Sequence, residues 1–172
     1  DGDFAGLPSS FGYAGARSHG RMSTGLYAAP GDVVNITFPS AIVNQNVYVL
    51  VGAHTDNLWG KTTLDRHPQI HRWWYVDNAS MQVGNAFGGA LYVAIAAGST
   101  LGEFNVTIQN AVEMPWYQHG ITDHHDWEMA LRQAPAPTAE LSSGFFIMTV
   151  PSSYIRNLDD PDHAMDFWDA AL

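Results

Sequence analysis

Val33-Val34-Asn35-Ile36-Thr37-Phe38 is the stretch on which the reading of this fold turns. Side chains of an extended chain alternate between two faces, so Val34, Ile36 and Phe38 share one side while Asn35 and Thr37 take the other. That is the pattern of a strand with one face buried and one in water. The turn Ala29-Pro30-Gly31-Asp32 leads into it. Phe104-Asn105-Val106-Thr107-Ile108-Gln109 repeats the design, with Phe104, Val106 and Ile108 inward. Further strands are expected at residues 47–51, 70–76, 90–95 and 145–150, separated by Gly, Asn, Asp and Pro clusters. Their spacing suits an antiparallel sandwich more than βαβ units.

Helices are expected only in the C-terminal third. One follows Thr122 and runs near residues 123–133, with acids in its first turn and Arg132 in its last, as the helix dipole prefers. The other follows Asp160 with Pro161 at its first position, and carries Ala164, Met165, Phe167, Trp168 and Leu172 on a mixed apolar face. The expected fold is mainly β, antiparallel and sandwich-like, with two or three short helices. Residues 1–20 are rich in Gly, Ser and Ala with only Phe4, Leu7, Phe11 and Tyr13 to bury, and read as an extended or flexible arm preceding a segment 21–172. The start at Asp1 and a helix running to the last residue read as a piece of a longer chain.

The 172 residues make about one domain, and 46% hydrophobic content fills a core of that size, which excludes general disorder. Seven Lys+Arg against 17 Asp+Glu give a net charge of −10. The cations Arg17, Arg21, Lys61, Arg66, Arg72, Arg132 and Arg156 are scattered. Binding to nucleic acid or an anionic membrane surface is therefore disfavoured. No apolar run approaches the roughly 18 residues that span a bilayer. The absence of cysteine removes thiolate nucleophiles, disulfides and Cys-held metals.

Three N-x-[ST] triplets, at Asn35, Asn78 and Asn105, point to an extracellular, secreted glycoprotein. On their strands Asn35 and Asn105 face water with their threonines, where a sugar would attach. Ordinary polar residues on a solvent face are the alternative.

Eight histidines raise the question of a metal. A helical zinc protease site needs His residues four apart with a Glu after the first, and no HExxH occurs in the chain. His124 and Glu128 fall four apart on the expected helix, beside His125, and read as a surface pair. No G-x-S-x-G elbow is present either, so no catalytic or metal residue is assigned. The loop Gly52–Trp59 gathers His54, Asp56, Asn57 and Trp59 and is a candidate ligand loop. Equally, Asp56 and Asn57 suit the turn's own backbone donors. Trp73, Trp74 and Tyr75 form a candidate aromatic platform for a sugar ring, with Trp73 and Tyr75 on one face and Trp74 on the other; core filling is the competing use. Gly88-Gly89 suits a bulge or a close backbone approach at the entry to a strand.

The runs Ser23–Gly31, Gly52–Asn57 and Asn85–Gly89 resemble the enhancin-like metallopeptidases, which include mucin-cleaving proteins. So do Ala134-Pro135-Ala136-Pro137 with Ala139-Glu140-Leu141, Thr149-Val150-Pro151-Ser152, and Leu158-Asp159-Asp160-Pro161 with Phe167-Trp168-Asp169. The resemblance covers residues 21–172. It implies the β-rich part that precedes the catalytic helices, with no cofactor in this chain and zinc only in a downstream HExxH region. The implied partner is a glycoprotein or glycan such as a mucin. The expected role is thus a non-catalytic portion of an extracellular peptidase. The alternative is a secreted assembly or binding module: a fibre or coat subunit whose arm adds a strand to a neighbouring copy in a homo-oligomer, or a carbohydrate binder using Trp59, Trp73 or Trp74.

Overall fold

The computed structural model describes residues 2–5 and 19–171. The chain divides into two compact units, one of Asp1–Thr24 with Ala28–Ala111 and one of Gly25–Tyr27 with Val112–Leu172.

The first unit contains β1 (Asp3–Phe4), β2 (Gly20–Ala28, whose residues 25–27 count with the second unit), β3 (Val34–Thr37), β4 (Val47–Val51), β5 (Arg72–Tyr75), β6 (Ser80–Val83), β7 (Gly89–Ile95), β8 (Ser99–Thr100) and β9 (Thr107–Gln109). One sheet runs β6-β3-β9, a second contains β2-β7-β4-β5, and β1 pairs with β8. The alternation of the opening stretch is realised: Val34 and Ile36 are buried, Asn35 and Thr37 exposed. Ile36 sits between Met81 and Ile108 on antiparallel neighbours. Residues 104–106 continue the alternation of β9 without pairing to β3, so that strand is shorter than expected. β4 and β7 are central and, apart from half-buried Tyr48 and Gly89, buried along their length, which explains their nearly unbroken apolar runs.

Gly89 shows the close approach expected of the glycine pair. Its φ is +149°, and an added Cβ would stand 2.5 Å from the backbone of Gly52. Part of the stretch expected as an arm pairs within this unit: Phe4 lies opposite Ser99, and Gly98 N–H donates to the Phe4 carbonyl at 2.7 Å. Leu7, Phe11 and Tyr13 lie outside the described residues.

The second unit holds β10 (Val112–Glu113), β11 (Trp116–Gln118), α1 (His124–Met129), β12 (Thr138–Ser142), β13 (Ile147–Pro151) and α2 (Asp162–Ala171). Residues 26 and 27 of β2 pair antiparallel with β10. In the sheet β11-β12-β13 the second pairing is antiparallel and the first parallel. Tyr117, Trp127, Ala139, Leu141, Ile155 and Met165 make its core. Both expected helices form, each with a carboxylate at its start. Asp123 accepts from the amides of His125 and Asp126, and Asp160 accepts from that of Asp162. α1 is shorter than expected: at Ala130 (φ −138°, ψ −58°) the backbone leaves the α region, and Leu131–Gln133 continue as a 3-10 turn.

Candidate functional site

Imidazoles and carboxylates converge in the second unit. Tyr117 on β11 is buried against Trp127, ring centroids 5.3 Å apart, with its hydroxyl carried to Asp162. His119 follows β11, and His124 is the first residue of α1, set by the Asp123 cap. Asp162, Asp166 and Asp169 stand at i, i+4 and i+7 of α2, which places them on one face.

The contacts join these elements into one network. His124 Nε2 lies 2.8 Å from Asp162 Oδ2 and 3.2 Å from the Tyr117 hydroxyl. His119 Nε2 is 3.6 Å from Asp162 Oδ1 and 3.2 Å from Asp166 Oδ1, while its Nδ1 is 3.2 Å from Asp169 Oδ2. Ser143 donates to the other Asp169 oxygen at 2.6 Å. The hydrogen bond that His124 donates to Asp162 raises the imidazole's pKa above its ordinary value, with the charges of Asp162, Asp160 and Asp123 adding to it. Asp162 is lowered, first by the Tyr117 hydroxyl and then by His124. Burial, followed by the bond to Asp162, pushes the Tyr117 phenol well up. The arrangement is a charged clasp that ties α2 to β11 and to the start of α1.

His124, Asp160 and Asp162 each offer a ligand atom within 4.8 Å of the others, one imidazole nitrogen and two carboxylate oxygens of the kinds that divalent metals take. The set is not the HExxH arrangement of a helical zinc site, whose motif the sequence lacks. The pairing of His124 with Glu128 expected from their spacing is replaced by a bond to Asp162, 38 residues away. The sequence signal for the clasp is the run of acids at 162, 166 and 169 on the expected helix.

The candidate residues of the first unit fall into separate groups. In the ligand loop Asp56 pairs with Arg66, and Asn57 Oδ1 accepts from the Trp59 amide at 2.9 Å, which is the turn-satisfying use. The His54 carbonyl lies 3.1 Å from His71 Nδ1. Trp59 is 63% exposed and forms an aromatic row with His67 and Phe87, centroids 6.0 and 4.9 Å apart. At the platform Trp73 and Tyr75 flank Tyr48 at 6.1 and 5.2 Å, and His19 joins at 4.9 Å from Tyr48. Trp74, its neighbour in the strand, meets a different partner: the Arg72 guanidinium lies 4.1 Å from its ring centroid. Of the triplet asparagines, Asn35 accepts from Gln82 at 3.1 Å and Asn78 donates to Asp77 at 3.2 Å; all three, Asn105 included, are exposed.

A mainly antiparallel β architecture with two C-terminal helices and no zinc-helix motif is therefore the class of protein that fold and residues define. The chain belongs to the M60-like peptidase family: the family model for the N-terminal domain of M60-like peptidases matches residues 13–109, and that for peptidase M60, enhancin and enhancin-like, matches residues 110–172. A TRPM8 channel-associated factor homolog of Danio rerio is 40% identical over 88% of this chain, which spans 17% of that relative's length. Among solved structures, the ZmpB metallopeptidase of Clostridium perfringens superposes with a TM-score of 0.67 at 15% identity, over 89% of this chain and 34% of that one. IMPa of Pseudomonas aeruginosa in complex with an O-glycopeptide gives 0.58 at 23%, over 90% and 19%. These likenesses also correct one expectation. The extracellular, secreted location rested on three short triplets and on kinship with secreted proteases, whereas the 40% identical relative is named as a channel-associated factor.

Proposed function

We propose that this chain is a non-catalytic, recognition-bearing part of an M60-family protein, shaping a surface for a protein partner while any family zinc is held by residues outside this stretch. The observation that carries the reading is the clasp: its imidazoles lie against carboxylates or a phenol within the protein, at 2.8–3.6 Å, in place of an HExxH pair with a free lone pair for zinc. A zinc site of the HExxH kind, which would acidify a bound water, needs a motif that this sequence lacks. The partner class follows from two supports. A glycopeptide partner is supported by the shared fold with IMPa, solved in complex with an O-glycopeptide. Association with a membrane channel is supported by the 40% identical relative named for it.

The test uses the purified chain with added zinc and a mucin-type O-glycopeptide followed by mass spectrometry. No cleavage is expected, with or without chelator. Chelator-sensitive turnover by these 172 residues would overturn the reading.

A further inference from the structure

The first unit contains a groove of about 360 Å³ that none of the roles above uses. Arg72 and Trp74 of β5 contribute one side of its lining, Gln82 and Val83 of β6 another, and residues 31–33 and 84–86 complete it. Among the described residues, β5 and β6 are edge strands of their sheets, so each presents backbone donors and acceptors with no described strand beyond it. The wall at residues 84–86 is rigidly built. Asn85 is buried and its Nδ2 donates to the carbonyls of Ile70, Gly88 and Val51 at 2.9, 3.2 and 3.3 Å. Beside it, a Cβ on Gly84 would stand 2.6 Å from the Asp32 carbonyl.

Among the described residues, two donors on side chains that line this groove lack acceptors. The indole Nε1 of Trp74 is buried with no hydrogen-bond partner. The Arg72 guanidinium is exposed and, among the described residues, has the indole face as its contact. The other described arginines are engaged: Arg21 by Ala53 and Thr55, Arg66 by Asp56, Arg132 by Asp159, and Arg156 by the carbonyls of Arg132, Ala134 and Ala136. In a chain of net charge −10, a cation left without a carboxylate beside an unsatisfied N–H is a mismatch that a ligand would resolve.

We propose that this groove binds an extended peptide segment bearing a carboxylate, laid along the free edge of β5. Main-chain hydrogen bonds to the edge supply sequence-independent affinity, as in strand addition. The carboxylate draws the Arg72 guanidinium off the indole into a charge-assisted pair. That movement uncovers Trp74, whose N–H donates to a ligand oxygen. The inference names a ligand and its contacts beyond the general recognition role, and it does not depend on whether the chain cleaves peptides.

The experiment is an NMR titration of the ¹⁵N-labelled chain with acetyl-Thr-Val-Glu-Val-Thr-amide and with its Gln counterpart. The Trp74 indole signal is assigned by its loss in Trp74→Phe. A saturable shift of that signal by the Glu peptide is expected, weakened about tenfold by the Gln peptide or by Arg72→Gln, with the amide spectrum of each variant showing an intact fold. No saturable shift up to about 10 mM peptide, or equal affinity for both peptides and for Arg72→Gln, would overturn the proposal.

Discussion

Asp162 concentrates the chemistry of the clasp, because one carboxylate receives the Tyr117 hydroxyl and the His124 imidazole together. Its contribution to stability depends on pH in a determined sense. His124 is raised from its ordinary 6.5, so its ion pair stabilises fully below that value and is lost as pH rises through the folded-state one. Asp162 is lowered from its ordinary 3.8, so its contribution is present above that value and lost as pH falls through the folded-state one. The window of greatest benefit lies between pH 3.8 and 6.5. Asp162→Asn is therefore expected to lower the urea midpoint most near pH 5.5, with a gap to the parent that narrows by about pH 8.5. A gap constant across that range would show that the loss is one of packing. The row of acids on α2 is legible in the sequence, but its pairing is not, since the partners of His124 and His119 come from 38 and 50 residues away; local spacing offers Glu128 instead.

Elements with an outspoken period declared themselves, and those whose stability comes from distant pairing did not. β4 and β7 follow from apolar runs, β3 from alternation, and α2 from its Asp160-Pro161 start. β11 and β12 were passed over. They pair in parallel across about 24 residues, and the middle of β12 is Glu140, fully buried and accepting from Thr149 at 3.2 Å, a polar group that breaks the apolar pattern of a core strand. For α1 the beginning was readable and the end was not. Asp123, the first residue of the expected range, is the cap of a helix that begins one residue later, and its carboxylate takes two otherwise unpaired amides. Asp123→Ala is expected to cost about 1 kcal/mol, seen as a lower urea midpoint with an unchanged slope. A loss of several kcal/mol would mean that α1 nucleates more of the second unit than its own turn.

Over the whole molecule, the distribution of apolar surface separates what this stretch stabilises from what it presents. On α2 the sequence suggested an apolar face of Ala164, Met165, Phe167, Trp168 and Leu172; among the described residues only Met165 of these is fully buried, and Phe167 stands 63% exposed. The helix is thus held by one methionine and a row of aspartates, leaving its aromatics outward. Phe145, 71% exposed, adds to them on a loop of the same unit. The 40% identical relative is far longer than this stretch, which spans 17% of it. Exposed in this way, these rings add little to the folding core. The double variant Phe145→Ser and Phe167→Ser is expected to lower ANS fluorescence of the native chain while changing unfolding free energy by less than about 0.5 kcal/mol. If the unfolding free energy instead falls by more than about 1 kcal/mol, the rings are packed in solution and belong to the core.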